Sequence, residues 1–286
     1  MRFSFILPIA VLAALPAAAQ TMSPPAESPA MAASADGKGF SGLYVGGSFG
    51  GAFLAGRQRE ISFDRNLDGR FGDTITTAAG ANAFSPGFCP GAATSPVPGN
   101  CDYDRQGIEY FGRAGFDVQR GRMVLGVVGE FGRPEVAETV TAFSTTPANY
   151  VMSRDVRWTI NGRLRAGYTP NDTTLFYVAG GPSYARVRTA ITSTNTANSF
   201  TSNGSRNEWG FNVGGGLEQR IARNLSIGVE YLYTDITADK GRVRVGPGTA
   251  PATNPFLLAG AGGTDFRFGD DQMAWHSVRL TAAFRF

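Results

Sequence analysis

The chain has 286 residues, with 26 Lys plus Arg against 23 Asp plus Glu and a formal net charge of +3. Lysine occurs only at Lys38 and Lys240, and the arginines alternate with apolar residues, which excludes the basic stripe or patch of a nucleic-acid-binding surface. One histidine and two cysteines are too few for an ordinary zinc site.

The first segment, "MRFSFILPIAVLAALPAAAQ", has a positive Arg2, an apolar Phe3–Leu15 core and a small Ala17-Ala18-Ala19 end. Its core is too short to span a bilayer comfortably, so residues 1–19 read as a secretory signal peptide rather than a retained anchor. Residues 20–40 are rich in Pro, Ala and Ser, without periodicity, and read as a flexible spacer. Residues 41–286 are long enough for one large domain.

Period two dominates that domain. "SGLYVGGSFGGAFLAG" puts Leu43, Val45, Phe49 and Phe53 on one face and Tyr44, Ser48 and Ala52 on the other. "GIEYFGRAGFDVQ" opposes Ile108, Tyr110, Phe116 and Val118 to Glu109, Phe111, Arg113 and Asp117. "MVLGVVGEFGR" follows with Leu125, Val127 and Phe131 against Val124, Val128 and Glu130. "RDVRWTINGRLRAGY" sets Val156, Trp158, Ile160 and Leu164 against Arg157, Thr159, Asn161, Arg163 and Arg165. "TLFYVAGGPSYARVR", "EWGFNVGGGLEQRI", "LSIGVEYLYTDI" and "MAWHSVRLTAAFRF" complete eight alternating segments. No helical period of comparable length interrupts them, so the chain is all-β.

The connections alternate too. Short turns near Gly121, Asn171 and Asn224 follow strands 2, 4 and 6, and long polar loops make the other four joins. One rim of tight turns and one of long loops is the layout of an antiparallel up-and-down transmembrane β-barrel, with extracellular loops and periplasmic turns. The charged face cannot be a dry soluble core, but it can face inward and pair while the apolar face meets lipid. A soluble barrel or sandwich is the competing reading, and the scarcity of lysine and the glycine content speak against it. Tyr44, Trp158, Tyr168, Trp209, Tyr233 and Trp275 lie near strand ends and suit interfacial girdles.

The segments "GLYVGGSFG", "GIEYFGRAGFD", "RLRAGY" and "SVRLTAAFRF" resemble OmpA-like, porin-family eight-stranded outer-membrane barrels of Gram-negative bacteria, in their surface-antigen branch. The resemblance covers residues 41–286 and implies a cell outer-membrane location, lipid and lipopolysaccharide as surroundings, and a monomer. It also implies that the terminal Phe286 is the signal read by the barrel-assembly machinery. The chain is expected to differ from OmpA-like relatives that carry a peptidoglycan-binding domain after the barrel, and the first loop, residues 56–104, is far longer than is usual.

In that loop "DRNLDGRFGD" spaces Asp64, Asn66 and Asp68 as hard oxygen ligands. Gly69 supplies the turn, Arg70 a carbonyl and Asp73 a further carboxylate, a partial calcium loop. Position 12 is Ile75 rather than Glu, and the same residues also favour a plain solvated turn. Calcium in this first extracellular loop is the one cofactor the sequence suggests. Cys89 and Cys101, separated by eleven residues, read as a disulfide in an exported chain. Closing so short a loop contributes about 3 kcal/mol. His276 and Ser277 are adjacent, so on a strand they point to opposite faces and make no catalytic pair. The chain is therefore expected not to be an enzyme. Eight strands leave an interior about wide enough for side chains alone. The expected function is a structural or surface-interaction role in the envelope. A narrow channel for small solutes or ions is the alternative, and the ligand of the outer loops is unspecified.

Overall fold

The computed structural model describes residues 39–55, 60–89, 104–260 and 262–286. The signal-peptide segment, spacer residues 20–38 and Cys101 lie outside the described residues.

Every regular element described is a strand. In chain order these are β1 (Gly42–Leu54), β2 (Ile61–Asp64), β3 (Gly87–Cys89), β4 (Gly107–Arg120), β5 (Met123–Pro134), β6 (Ala137–Ser144) and β7 (Ala148–Asn171). They continue with β8 (Thr174–Ser193), β9 (Ser199–Ser202), β10 (Ser205–Arg220), β11 (Leu225–Thr237), β12 (Val243–Gly246), β13 (Thr264–Phe268) and β14 (Gln272–Arg285).

Eight of them close a barrel in the order β1, β4, β5, β7, β8, β10, β11, β14 and back to β1, every pair antiparallel. Closure leaves no unpaired backbone edge, which a lipid environment requires. Register places apolar residues side by side on the outer wall: Phe49 opposes Tyr110 on one neighbour and Leu280 on the other. Leu125, Leu164, Val178 and Leu280 are each more than 60% exposed there, a cost that only hydrocarbon removes. Gly115 shows what some of the glycines are for: a Cβ on it would lie 2.4 Å from the Tyr44 ring, which turns into the barrel at that level.

Three tight turns form one rim, after β4 at Gly121, after β7 at Asp172–Thr173 and after β10 at residues 221–224. Gly121 takes φ 58, and the Asn171 side chain accepts the N–H groups of Thr173 and Thr174 at 3.0 and 2.7 Å. The spacer boundary needs correction at this rim. Phe40 is fully buried, donates its N–H to Gln119 Oε1 at 2.7 Å and gives its carbonyl to Arg285 Nη1 at 2.7 Å. It therefore belongs to the barrel, whose turn-side mouth it fills.

The opposite rim also departs from expectation. Its long connections are folded into a cap. β7 and β8 run 24 and 20 residues, well beyond the barrel wall. β6 pairs with the outer part of β7, β3 adds to β6, and β2, β13, β12 and β9 make a separate four-stranded sheet. Phe63, Phe84, Tyr150, Phe256 and Phe266 pack between these pieces, with Phe63–Phe84 centroids 4.7 Å apart and Phe63–Phe266 4.9 Å. The loops read as polar because their aromatic residues are scattered among polar ones, and the dry core exists only once they meet.

A bulge between Val156 and Trp158 changes one expected face. It turns Val156 inward and Arg157 outward, the reverse of simple alternation. Tyr44 and Trp275 are likewise corrected: both are buried inside the barrel rather than in a girdle.

Candidate functional site

The barrel interior is layered. Nearest the turns, Phe40, Val124, Leu175, Tyr177 and Ala179 form an apolar floor. Above it Arg285 meets Asp117 at 2.9 Å and Glu218 at 2.7 Å, and Arg165 also pairs with Glu218. Tyr44 lies between these cations, with the Arg285 guanidinium 4.7 Å from its ring centre.

A second tier follows. Arg163 reaches Glu130 at 2.7 Å and Glu230 at 3.6 Å. Arg279 reaches the same two carboxylates at 2.9 and 2.8 Å, and Arg113 stands 3.5 and 3.7 Å from them. Glu109 completes the tier, 3.8 Å from Arg279, and accepts the Ser277 hydroxyl at 2.8 Å. Each tier balances its charges, as buried ions must.

Above the ions Asn212 donates to Ser183, which bonds Asn161. An apolar plug then closes the cap-side end, with Leu54, Val156, Val187, Ile236, Met273 and Trp275 packed together. Over it Arg154, fully buried, holds Glu138 at 2.5 Å and Asp270 at 3.0 Å. Arginines and apolar side chains thus fill the lumen through most of its length.

The first-loop residues come together as a turn. Asp64 is buried and its two carboxylate oxygens accept the N–H groups of Asp68 (3.2 Å) and Gly69 (2.9 Å). Asp68 accepts from Arg70 N–H at 2.8 Å and from the Asn66 amide at 3.1 Å, which hold its carboxyl below the usual carboxylate range. Asp73 accepts the Arg65 N–H at 2.9 Å. Leu67 and Gly69 take positive φ, 62 and 84, to make the bend. Ile75, at position 12, is buried in the cap core. Among the described residues no group of three or more acidic, Cys or His side chains is gathered to hold a metal.

Cys89 is buried on β3 opposite Thr141, and no described cysteine is free. His276 faces outward, its Nδ1 2.7 Å from the Tyr231 hydroxyl, while Ser277 faces in. Phe286 sits at the turn-side rim, 73% exposed, with its ring 5.3 Å from that of Phe284.

One feature escaped the alternation reading. A cleft of about 460 Å³ opens on the outward side, where β6 and the outer halves of β7 and β8 meet the end of β5. Arg105, Arg133, Arg157 and Arg188 line it. The available signal was positional: Arg133, Arg186 and Arg188 continue the outward register directly beyond Phe131 and Tyr184.

The family model of the outer membrane protein beta-barrel domain matches residues 7–286. The chain belongs to this family. It is an outer-membrane protein of Gram-negative bacteria. A curated relative, the 31 kDa outer-membrane immunogenic protein of Brucella melitensis biotype 1, is 26% identical over 176 residues, 57% of this chain and 73% of the relative. Among solved structures, OprG from Pseudomonas aeruginosa aligns at TM-score 0.45 and 11% identity, over 87% of this chain and 99% of its own. The outer membrane protease OmpT from Escherichia coli aligns at 0.41 and 9%, over 86% and 97%.

Proposed function

We propose that this family member is a sealed, non-catalytic monomer that anchors a folded cap at the cell surface, in a structural or surface-interaction role. The filled lumen supports this reading above all. Two tiers of paired ions stand between an apolar floor and an apolar plug, so side chains occupy the lumen at each of these levels. The separation of His276 from Ser277 supports a role without hydrolytic chemistry.

Planar-bilayer recording of the refolded chain tests the reading. Sealed bilayers at both polarities are expected. Sustained unit conductance would replace it with the narrow-channel alternative. The remaining proposals fit the same picture. Lipopolysaccharide surrounds the outer wall, the assembly machinery reads Phe286, and Cys89 bonds Cys101 to pin the first loop. Peptide mapping without reduction tests the bridge, and pull-down of a Phe286→Ser variant with the assembly machinery tests the signal.

A further inference from the structure

The cleft beside β6 carries four guanidinium groups and two carboxylates, Glu135 and Asp155, an excess of two positive charges. The groups are unequal. Asp155 takes Arg188 at 2.9 Å and Arg157 at 3.4 Å. Among the described residues Arg105 and Arg133 form no ion pair, and Arg133 Nε is buried without a hydrogen-bond partner. Both guanidinium groups therefore have N–H donors to offer an anion that enters the cleft.

Its height on the barrel indicates what would complete it. Directly below, on the lipid-facing wall, runs a chain of rings: Phe131–Trp158 at 6.3 Å, Trp158–Tyr184 at 5.9 Å and Tyr184–Trp209 at 4.7 Å. Such a girdle marks the boundary between hydrocarbon and headgroups. The arginines stand just on the cap side of that boundary, at the depth of the outer-leaflet headgroups. Guanidinium forks match phosphate oxygens with two parallel hydrogen bonds.

We propose that the cleft binds the phosphorylated headgroup of an outer-leaflet glycolipid. Arg105 and Arg133 are its phosphate ligands, and the Phe131–Trp158–Tyr184 rings line up its acyl chains. The proposal rests on the reading of lipopolysaccharide as a partner and names the place where it is gripped. Asp155 competes with the phosphate for Arg157 and Arg188 and so limits the affinity.

The test is a native mass-spectrometry titration of the detergent-refolded full chain. The probes are bis-phosphorylated lipid A, the same lipid A with both phosphates removed, and inorganic phosphate. Folding is verified for each variant by the heat-dependent gel-mobility shift, so failure of the barrel itself is seen separately. An Arg105→Gln/Arg133→Gln variant is expected to bind bis-phosphorylated lipid A at least tenfold more weakly and the dephosphorylated form as the wild type does. Arg206→Gln, which lies outside the cleft and pairs with Asp239, should change neither. Asp155→Asn should tighten the phosphorylated form, and it decides the matter if the double variant does not fold. Equal binding by wild type and cleft variants, or no preference for the phosphorylated lipid, overturns the proposal. Inorganic phosphate binding as tightly as lipid A would leave a plain ion site and also overturn it.

Discussion

Arg279 grips two carboxylates from different strands at once, Glu130 on β5 at 2.9 Å and Glu230 on β11 at 2.8 Å. Glu230 is the register partner of Arg279 on the neighbouring β11, whereas Glu130 stands three strands round the barrel from β14, so the arginine joins a contact along the wall to one across the lumen. Arg163 repeats the grip from β7. The tier is therefore a network: Glu130 and Glu230 each keep two other cations when one is lost, while Glu109 pairs with Arg279.

Removing one cation still leaves buried charge uncompensated. Arg279→Met should destabilise the barrel by about 3–5 kcal/mol, the cost of breaking a buried pair from one side. The measurement is the urea midpoint of the gel-mobility shift. An unchanged midpoint would mean that water reaches the tier.

Phe40 lies outside the tier but fills the mouth below it. Phe40→Ala should cost about 3–5 kcal/mol as a large-to-small change in a packed site. It should nevertheless leave the bilayer sealed, because both ion tiers and the plug remain above. Conductance in Phe40→Ala and not in the wild type would identify Phe40 as the seal.

The barrel was legible in the sequence because its environment imposes one rule at every position. Lipid outside and paired ions inside make residues such as Phe116 and Asp117 alternate along most of the wall, so local reading suffices there. Arg157 broke the rule because a bulge adds a residue and inverts the faces, and period two carries no record of a bulge. Tyr44 and Trp275 misled because an aromatic near a strand end suits a girdle and a lumen equally. The cap was illegible for a different reason. Phe63, Phe84, Tyr150, Phe256 and Phe266 come from three separate connections, and nothing local predicts that they meet.

That cap core makes a separable prediction. Phe266 is fully buried and contacts the rings of Phe63, Phe84, Tyr150 and Phe256. Phe266→Ala should cost the cap about 3–5 kcal/mol. Limited proteolysis should then cut residues in the outer connections while the mobility shift of the barrel persists. A barrel that unfolds together with the cap would show that the two are one cooperative unit.

Two explanations of the order of the first loop predict different things. The Asp64 carboxylate already bonds two backbone N–H groups, and Ile75 stands in the core where a calcium loop would place a bidentate ligand. Turn chemistry then suffices. Isothermal titration should give no heat at millimolar calcium, and chelator should leave the proteolysis of residues 64–73 unchanged. Asp64→Ala strands two N–H groups and should loosen the loop by about 1–2 kcal/mol. The pH dependence has a definite sign. The Asp68 carboxyl is held low chiefly by the Arg70 N–H, so its folded value lies below its unfolded one. Its contribution is complete above the ordinary aspartate value of about 3.9 and is lost as pH falls through the lower folded value. Protease sensitivity of the loop should thus be flat from neutral pH down to about 5, and an acid-active protease should find the loop opening only below about pH 4. Opening that begins near pH 6, or protection that requires added calcium, would assign the order of the loop to something other than these hydrogen bonds.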